Sequence, residues 1–480
     1  MNRRMVLNTI GHIALAEAAL LALPLIVSFL YKEACAYAFL ITIGICLSTG
    51  LILKFTTRPG TKVIYAKESF AIVTYAWLLM ALFGALPFVI SGEIPSYVDA
   101  FFETVSGFTT TGASILTDIE SMSHGLLFWR SFTHWIGGMG VLVFVMALIP
   151  NISDRSIHIM RAEMPGPEVG KLLPKARDTA KILYLIYVVL TAVEIVMLLC
   201  GGMPLFDSIV HAFGTAGTGG FGIKADSIAG YSPYLQWVIA IFMLVFALNF
   251  NLFYLVLVGK IKSVLKSTEL WCFVSIVLLS IGVIAINIYK MYDGIEEVLR
   301  MTTFQVSSII STTGYATTDF DLWPGLSKSI LMLLMVIGGC AGSTAGGLKV
   351  SRVIILIKSV LRELKKLLHP RSVRIVKLDG KRVDEQTLSG TASYFVIYAI
   401  IVIGIFILLS IGPFSIETNL SATLACFNNI GPGFATVGPT LSYAEYSAFS
   451  KILLSLAMLL GRLEIFPLIL GLNPLIWKKR

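Results

Sequence analysis

Charged residues are scarce in this chain. They make up 14% of its 480 residues, whereas about 25% is usual for a soluble domain. Hydrophobic residues make up 56%, and the mean hydropathy is +0.84. The apolar residues form repeated runs of roughly 20, the length that crosses a bilayer. Soluble enzymes, disordered regulators and small disulfide-stabilised scaffolds are therefore excluded, and the composition predicts a polytopic membrane protein.

The sequence also lacks clustered cysteines. The six cysteines are scattered, mostly within apolar runs, and none has the C-x-x-C spacing that metal or redox chemistry needs. They are interpreted as small buried apolar residues. A convergent set of His, Asp, Glu or nucleophilic residues is missing near the glycine-rich segments described below. An enzyme is therefore not expected.

Positive charge is concentrated on one side of the predicted membrane. Of the 37 lysines and arginines, 29 fall in segments assigned to the cytoplasm and 6 in the opposite segments, while Arg130 and Arg462 lie inside apolar runs. This is the positive-inside bias of membrane proteins. The net charge of +9 is thereby explained by orientation in a lipid membrane, and no nucleic-acid partner is expected. The basic ends MNRR and WKKR place both termini in the cytoplasm.

Ten long apolar runs predict ten transmembrane helices in an all-α protein. They lie near residues 9–30, 36–55, 69–91, 126–149, 179–200, 234–258, 270–289, 326–361, 391–411 and 450–476. An even number of spans agrees with two termini on the same side.

Between certain spans, a segment of about 14 residues, too short to cross a membrane, recurs four times on the outer side. Each copy ends in a turn rich in threonine and glycine. The copies are DAFFETVSGFTTTGAS (Asp99 to Ser114), DSIVHAFGTAGTGGFG (Asp207 to Gly222), RMTTFQVSSIISTTGYAT (Arg300 to Thr317) and NLSATLACFNNIGPGFAT (Asn419 to Thr436). Such repeats reveal architecture. They predict two leading helices (1–60) followed by four helix, pore loop, helix repeats with pseudo-fourfold symmetry around one pore, at 61–150, 151–262, 263–370 and 371–480.

The four copies predict a cation pathway. Non-helical backbone at membrane depth is tolerated only where it is buried in protein or lines a water-filled cavity, so four breaks at one depth imply a cavity. Half-helices that enter from outside aim their partially negative C-terminal ends inward, which favours a cation. Backbone carbonyls and threonine hydroxyls can then replace the hydration shell of the ion. For any single copy, small residues that merely pack helices together are the alternative.

The predicted selectivity filter consists of the last residues of each copy. Alignment on the glycine before a small or aromatic residue makes four positions equivalent, namely Gly112, Gly220, Gly314 and Gly433. In the fourth copy, Ile430, Gly431 and Pro432 then replace the three threonines of the first. The candidate ion-binding residues are Thr110, Thr111, Gly112, Thr218, Gly219, Gly220, Thr312, Thr313, Gly314, Gly431, Pro432 and Gly433.

The eighth apolar run contains the predicted gate. It is too long for one span and is interrupted by GGCAGSTAGG, residues 338–347. Each glycine destabilises a helix by roughly 1 kcal/mol relative to alanine, so the helix is expected to break just below the filter. The predicted intramembrane loop would obstruct ion flow and move on activation, whereas a kinked, closely packed helix is the alternative. Its candidate residues are Gly338, Gly339, Gly342, Ser343, Thr344, Gly346 and Gly347.

Arg462 lies deep in the last apolar run, in LLGRLEIF. A charge at mid-membrane costs about 2.5–3.5 kcal/mol on insertion scales, so it should face the interior and meet a partner. A salt bridge with an acid is one interpretation, although Glu464 does not share its helix face. A place in the cytoplasmic-side barrier, beside the glycine-rich loop, is the preferred one. Arg130 and His134 are interpreted as packing or headgroup contacts.

Two cytoplasmic stretches are basic, Asn151 to Lys181 and Lys349 to Gln386. The second contains an amphipathic helix, RVIILIKSVLRELKKLL, followed by a predicted β-hairpin with Asp379-Gly380 at its turn. Contact with lipid headgroups and docking of a regulatory partner both remain open as explanations of this charge.

The TTTGA, GTGGF, STTGY and GPGFA strands, the two leading helices and the glycine-rich loop resemble the Trk-type potassium uptake subunits of the Trk/Ktr/HKT superfamily. The resemblance covers essentially the whole chain. It implies one K⁺ pathway per subunit, a homodimer in the bacterial inner membrane, and a cytosolic Rossmann-type nucleotide-binding regulatory subunit, TrkA-like, that gates the pore. It also implies that K⁺ is the transported ion, and it implies no organic cofactor. Gly112 stands where the sodium-selective plant branch has serine, so the resemblance favours K⁺.

Among three classes of function, the leading hypothesis is a K⁺-selective, channel-like uptake protein. The alternative is a secondary transporter coupled to H⁺ or Na⁺, with the intramembrane acids Glu17 or Glu194 as proton carriers. Inverted repeats would be expected of such a transporter, whereas the four repeats here share one orientation. A membrane enzyme is the third class.

Overall fold

A computed structural model describes residues 2–57, 66–140, 176–372 and 374–474. These residues form helices and connecting segments, with one short β-hairpin, and the predicted all-α polytopic class is confirmed. Most of the predicted basic stretch Asn151 to Lys181 lies outside the described residues.

Twenty α-helices are numbered in chain order within the described residues. They are α1 (Arg3–Leu20), α2 (Ala22–Leu30), α3 (Ala36–Thr56), α4 (Ala66–Gly84), α5 (Leu86–Ser91), α6 (Tyr97–Phe108), α7 (His124–Gly138), α8 (Ala176–Cys200), α9 (Leu205–Gly217), α10 (Pro233–Phe246), α11 (Phe250–Leu257), α12 (Ile261–Leu265), α13 (Thr268–Ile288), α14 (Ile295–Ile310), α15 (Gly325–Ile337), α16 (Val350–Leu368), α17 (Glu385–Leu409), α18 (Ile416–Phe427), α19 (Ala448–Arg462) and α20 (Phe466–Leu472). Short 3₁₀ turns span Tyr289–Met291, Phe320–Leu322 and Ala435–Val437.

Each of the ten apolar runs coincides with a helix or a broken pair of helices. Within the described residues, six continuous helical stretches are long and apolar enough to cross a membrane, and two bent pairs raise that number to eight. The shorter apolar helix α15 and the helix α7, beyond which the described residues stop at Gly140, occupy the remaining two runs. The total of ten spans stays a prediction.

Three of the helices that follow the outer re-entrant segments are broken. The pair α10 and α11 bends by 90° and the pair α19 and α20 by 119°, whereas α15 ends at Ile337 before the glycine-rich loop. The sequence predicted only this last break. At the first bend, the Asn249 side chain accepts a hydrogen bond from the Asn251 amide and so begins a new helix. At the second, Glu464 has a φ of 53°, which no α-helix accommodates.

The four short helices α6, α9, α14 and α18, which we call the pore helices, lie in the centre of the fold. Their C-terminal halves are buried by the longer helices around them. Ser96 and Ser415 begin the first and the fourth, each with a hydroxyl that accepts a backbone amide three residues on. The predicted pore-helix positions are therefore confirmed as short buried helices.

The predicted cytoplasmic hairpin is also present. Strand β1 (Lys377–Leu378) pairs antiparallel with β2 (Lys381–Arg382). Asp379 and Gly380 at the turn have φ values of 49° and 77°, as a two-residue hairpin turn with two positive φ angles requires. The amphipathic helix α16 precedes the hairpin.

Candidate ion pathway

Each pore helix ends in the same backbone turn. In the first, the Thr110 amide donates to the Gly107 carbonyl at 3.1 Å and the Thr111 amide to the Ser106 carbonyl at 2.8 Å. This is the Schellman motif, in which one residue takes the left-handed conformation. The residues in that conformation are Thr110 (φ 55°), Thr218 (56°), Thr312 (58°) and Asn429 (56°). The turn therefore aligns the four repeats by backbone geometry, independently of side-chain similarity.

Three of these left-handed residues are threonines, which is an unusual choice. A β-branched side chain disfavours positive φ, and such strain costs on the order of 1–3 kcal/mol and persists only where the surroundings enforce it. Hydroxyl pairs flank the strained residue in two repeats: Thr109 with Thr111 at 2.8 Å, and Ser311 with Thr313 at 2.7 Å. Glycine would relieve this strain but would supply no hydroxyl, and Thr312 uses its hydroxyl to accept the Gly346 amide at 2.6 Å.

Two residues after each left-handed residue stands a glycine with positive φ. These glycines are Gly112 (79°), Gly220 (77°), Gly314 (86°) and Gly431 (98°). A Cβ on each would meet a backbone carbonyl oxygen of the next repeat, as follows: Gly112 that of Gly219 at 2.0 Å, Gly220 that of Thr313 at 2.0 Å, Gly314 that of Ile430 at 2.0 Å, and Gly431 that of Thr111 at 2.6 Å. Because the fourth glycine faces the first repeat, the four strands close into one ring.

The fourth strand corrects the predicted alignment. Gly431, and not Gly433, is the equivalent of Gly112, because it has the positive φ and faces the Thr111 carbonyl. The Gly433 amide instead donates to the Val437 carbonyl at 2.7 Å, within its own repeat. The predicted alignment was wrong by two residues. Asn428, Asn429 and Ile430 are the equivalents of the three threonines of the first strand.

A cavity of about 360 Å³ lies against the ring. Its lining includes Gly112, Gly220, Gly314, Gly431 and Pro432. The structure therefore brings predicted residues from all four strands to a single vestibule.

The buried pair Arg130 and Glu103 supports the first two strands. Arg130 Nε lies 2.6 Å from a Glu103 oxygen, and Arg130 donates to the Gly222 carbonyl at 2.8 Å. Glu103 also accepts the Ser114 hydroxyl at 2.9 Å and the Ile115 amide at 3.0 Å. Contact of Arg130 with lipid headgroups, one of the two interpretations above, is wrong, because the side chain is enclosed between two strands. Its partner lies 27 residues away, and no local pattern indicates such a pair.

His134 is likewise a structural residue of the ring. Its Nε2 accepts the Phe221 amide at 3.3 Å, so its Nδ1–H donates to the Gly107 carbonyl at 2.7 Å. The imidazole thereby joins the first pore helix to the second strand. Packing, the other interpretation of His134, is confirmed.

Outside the membrane, the Glu33 carboxylate caps the N-terminus of α7, the helix that contains Arg130 and His134. It accepts the backbone amides of His124 and Gly125 at 2.7 and 3.0 Å and contacts His124 Nδ1 at 2.9 Å. Burial raises the pKa of Glu33, but the amides of Gly125 and His124 and the imidazole outweigh it and hold the pKa below its ordinary value.

The glycine-rich loop lies directly beneath the third strand. The Gly346 amide donates to the hydroxyl of Thr312, the left-handed residue of that strand, at 2.6 Å. On the other side, the Cys340 amide donates to the Ala247 carbonyl at 3.0 Å and the Phe250 amide to the Gly342 carbonyl at 3.0 Å. The loop therefore fills the bend between α10 and α11. Residues 338–349 form no helix, so the kinked-helix alternative is wrong.

Arg462 joins this loop to the first repeat. It is 7% exposed, and its guanidinium donates to the Thr344 carbonyl at 2.7 Å, to the Gly137 carbonyl at 2.6 Å and to the Gly138 carbonyl. Gly137 and Gly138 end α7, where carbonyls lack the usual helical partner four residues on, and the Gly137 carbonyl also accepts the Gly140 amide at 3.0 Å. Glu464 pairs instead with Arg352. The predicted position of Arg462 beside the loop is thus confirmed.

Glu269 joins the loop to the start of α16, a contact that sequence reasoning missed. One carboxylate oxygen accepts the Ala341 amide at 2.7 Å and the Ser351 amide at 3.2 Å. One residue earlier, the Thr268 amide donates to Asp379 of the hairpin turn at 2.6 Å. A chain of contacts therefore runs from the cytoplasmic hairpin to the loop. An acid at the start of an apolar run was the only available signal.

Glu17 and Glu194, the candidate proton carriers, are both fully buried. Within the described part of the chain, the Glu17 carboxyl has no hydrogen-bond partner, whereas the Thr215 hydroxyl of the second pore helix lies within hydrogen-bonding reach of Glu194. Neither belongs to the ring or to the loop contacts described above.

Comparison with known proteins identifies what this chain is similar to. The TrkH family, described as cation transport proteins, matches residues 36–476. The Trk system potassium uptake protein TrkH of Salmonella typhimurium is 36% identical over 490 residues, which cover 100% of both chains. The Trk system potassium uptake protein TrkG of Escherichia coli is 33% identical and is covered to 99%, as is this chain.

A solved structure is similar along its whole length. The crystal structure of the potassium transporter TrkH from Vibrio parahaemolyticus superposes with a TM-score of 0.89 at 31% identity, with 100% of each chain covered. The helices, the ring and the loop described above thus belong to a known architecture.

Proposed function

Because this chain belongs to the TrkH family of cation transport proteins, we propose that its ring of four strands is the potassium-selective step of K⁺ uptake. The chain is a multi-pass membrane protein, and potassium uptake is the function of its relatives. The observation that carries the proposal is the closed ring in which each glycine faces a carbonyl of the next repeat.

Two physical effects make the ring favourable for K⁺. Four pore helices direct their C-terminal ends toward it, and each such end has roughly half a negative charge. The carbonyls of Thr111, Gly219, Thr313 and Ile430 then substitute for water around the ion, and selectivity follows from their number and field. The threonine hydroxyls of the first three strands and the backbone of Gly431 and Pro432 complete the proposed binding residues. We leave Gly433 out of that set.

The gate of this pathway is the loop of residues 338–347 together with Arg462. The loop lies below the ring, and the arginine adds a buried positive charge that repels K⁺ at the same level. Three carbonyls hold the guanidinium. Opening requires the loop to leave the Thr312 hydroxyl and the Thr344 carbonyl to leave Arg462.

Regulation enters from the cytoplasmic side. The relatives are named as components of a Trk system, and the chain is expected to act with other components of such a system. The basic hairpin, which contacts the loop through Asp379, Thr268 and Glu269, is the proposed docking site of a TrkA-like Rossmann-type nucleotide-binding subunit. A homodimer in the bacterial inner membrane, with both termini in the cytoplasm, completes the proposal.

The test is Rb⁺ influx into liposomes that contain the purified chain, with K⁺, Na⁺ and Li⁺ as competitors. K⁺ but not Na⁺ should block influx. Gly220→Ala places a Cβ 2.0 Å from the Thr313 oxygen, whereas Gly222→Ala, two residues on, meets nothing closer than 3.7 Å. The first variant should lose selective influx and the second should keep it. Equal activity in both variants, or no influx in the wild type, contradicts the proposal.

The coupled transporter is retained as a second candidate because Glu17 and Glu194 are fully buried acids. Its test is uptake driven by a pH gradient in the double variant Glu17→Gln, Glu194→Gln. Unchanged uptake supports the channel-like mechanism, since neither residue is part of the ring. Loss of accumulation in a folded double variant supports coupling instead.

A further inference from the structure

The ring closes between the fourth repeat and the first, which are farthest apart in the chain. We call the contacts at this closure the seam. Across it, the Tyr443 amide donates to the Ser114 carbonyl at 2.8 Å, and Asn429 Nδ2 donates to the Thr111 hydroxyl at 2.9 Å. Within the fourth repeat, the Tyr443 hydroxyl donates to the Gly431 carbonyl at 2.7 Å. A single residue outside the four strands therefore bonds to one edge strand and to the ring glycine of the other.

Tyr443 is held firmly in this position. It is 2% exposed, and its ring packs against Phe102 and Tyr446 with centroids 5.6 and 5.9 Å apart. The Cys426 thiol of the fourth pore helix lies within hydrogen-bonding reach of the same hydroxyl. The Gly431 carbonyl, at 2.7 Å, is the acceptor of the Tyr443 hydroxyl.

The second and third repeats meet in a different way. There the Tyr315 hydroxyl contacts the carbonyls of Phe221 and His211, each at 3.2 Å, and Phe221 follows the ring glycine Gly220. At the seam, by contrast, the Tyr443 hydroxyl contacts the carbonyl of the ring glycine Gly431 itself, at the shorter distance of 2.7 Å. The fourth strand also lacks the hydroxyl of Thr111 and Thr313, because Ile430 occupies that position.

We propose that Tyr443 is the positioning residue that sets K⁺ over Na⁺ selectivity on the fourth side of the ring. Its hydroxyl fixes the orientation of the Gly431 carbonyl and weakens the electric field that this carbonyl presents to the ion. Its amide keeps the fourth strand at a fixed distance from the first. Discrimination between K⁺ and Na⁺ depends on the number and field strength of coordinating carbonyls. The proposal rests on the proposed function, since it assigns a role within the same ring.

The experiment compares Tyr443→Phe with Tyr446→Phe in the liposome assay. The first variant removes only the hydroxyl at Gly431. The second removes a hydroxyl from the same aromatic cluster, one that donates to Asn419 at 3.1 Å. The concentrations of K⁺ and Na⁺ that halve Rb⁺ influx give the selectivity ratio. For Tyr443→Phe we expect the ratio to fall roughly threefold to tenfold, the effect of one neutral hydrogen bond, with total Rb⁺ influx retained. Tyr446→Phe should match the wild type.

A wild-type ratio in Tyr443→Phe overturns the proposal, as does an equal fall in both variants. A second pair tests the position of Tyr443 while keeping its hydroxyl. Phe102→Leu removes the ring that packs against Tyr443, whereas Phe414→Leu removes a ring that packs against Tyr446 instead, so the first variant should lower the selectivity ratio and the second should keep it. Equal ratios in this pair also overturn the proposal, and they decide the question if Tyr443→Phe does not fold. Failure of wild-type influx would instead contradict the proposed function itself.

Discussion

The outer and inner halves of the pathway are built in different ways. The outer ring takes one strand from each repeat, and all four share the same turn and the same glycine conformation. The inner barrier takes its loop from the third repeat, its arginine from the fourth and its carbonyl acceptors from the first and third. The outer half is pseudo-symmetric, whereas the inner half is not.

This difference follows from what each half has to do. A dehydrated cation is well coordinated only if oxygens surround it, so the same strand must be repeated around the ring. A barrier has to exist in two arrangements, and one loop held by a few bonds can change state without disturbing the ring. Substitutions in each half test whether the two halves respond independently.

The largest effect is expected from a Cβ in the ring. Gly431→Ala brings a Cβ 2.6 Å from the Thr111 oxygen at a φ of 98°, whereas Gly433→Ala meets the Ser421 hydroxyl at 2.8 Å with no positive φ. We expect Gly431→Ala to abolish K⁺-selective Rb⁺ influx, and Gly433→Ala to lower the melting temperature while selectivity remains. If Gly433→Ala alone abolishes selectivity, the register assigned to the fourth strand is wrong.

The next largest effect is expected at the barrier. Arg462→Ala removes the bonds to Thr344, Gly137 and Gly138 together with the buried charge. In liposomes without any regulatory subunit, basal Rb⁺ influx should rise by about tenfold, since a hydrogen bond to a charged group is worth roughly 1.5–3 kcal/mol, and the K⁺ over Na⁺ ratio should stay unchanged.

Arg130 provides the matched comparison, because it is a buried arginine of the outer half. Arg130→Ala should lower the selectivity ratio and the melting temperature without raising basal influx. A rise in basal influx from Arg130→Ala, or a change in selectivity from Arg462→Ala, would show that the two halves are not independent.

A smaller effect is expected where the loop is anchored. Glu269→Ala leaves the amides of Ala341 and Ser351 without their acceptor, whereas Glu269→Gln keeps an acceptor oxygen. Cys340, buried next to Ala341, is a natural reporter of loop opening. Its alkylation, measured by mass spectrometry, should be about fivefold to tenfold faster in Glu269→Ala, as loss of one charge-assisted bond implies.

The control for this experiment is Glu363→Ala, which removes a carboxylate that pairs with Arg362 on the surface of α16. Its alkylation rate should equal that of the wild type. Equal rates in Glu269→Ala and Glu363→Ala would contradict the anchoring role of Glu269.

The smallest effect is expected at Glu33, outside the membrane. Its carboxylate stabilises the start of α7 through the amides of His124 and Gly125, and its pKa is lowered. This stabilisation is complete above the unfolded value of about 4.3 and is lost as the pH falls toward the lower folded pKa. The difference in melting temperature between the wild type and Glu33→Gln should therefore be full above about pH 5 and should shrink as the pH falls below about 4. A constant difference would contradict this role of Glu33.

Much of the architecture could be predicted from the sequence because its signals are local. Apolar runs, four threonine and glycine turns and one run of small residues each identify an element directly. The register of the fourth strand could not be predicted in this way. Gly433 followed by Phe434 resembles Gly220 followed by Phe221. The geometry depends instead on which residue takes the left-handed conformation after the pore helix, and in the fourth repeat that residue is Asn429.

The remaining misses involve partners distant in sequence. Arg130 pairs with Glu103, and Glu269 binds amides 72 and 82 residues away, which no pattern along one segment indicates. The bend after α10 contains neither glycine nor proline. It forms because the loop of the third repeat supplies hydrogen bonds to the backbone freed there.

The most direct test of the central claim is the position of Rb⁺ in a crystal of this protein, located by anomalous scattering. We predict a peak on the axis, in direct contact with the carbonyl oxygens of Thr111, Gly219, Thr313 and Ile430. A ring without Rb⁺, or Rb⁺ bound instead beside Glu17 or Glu194, would contradict the account.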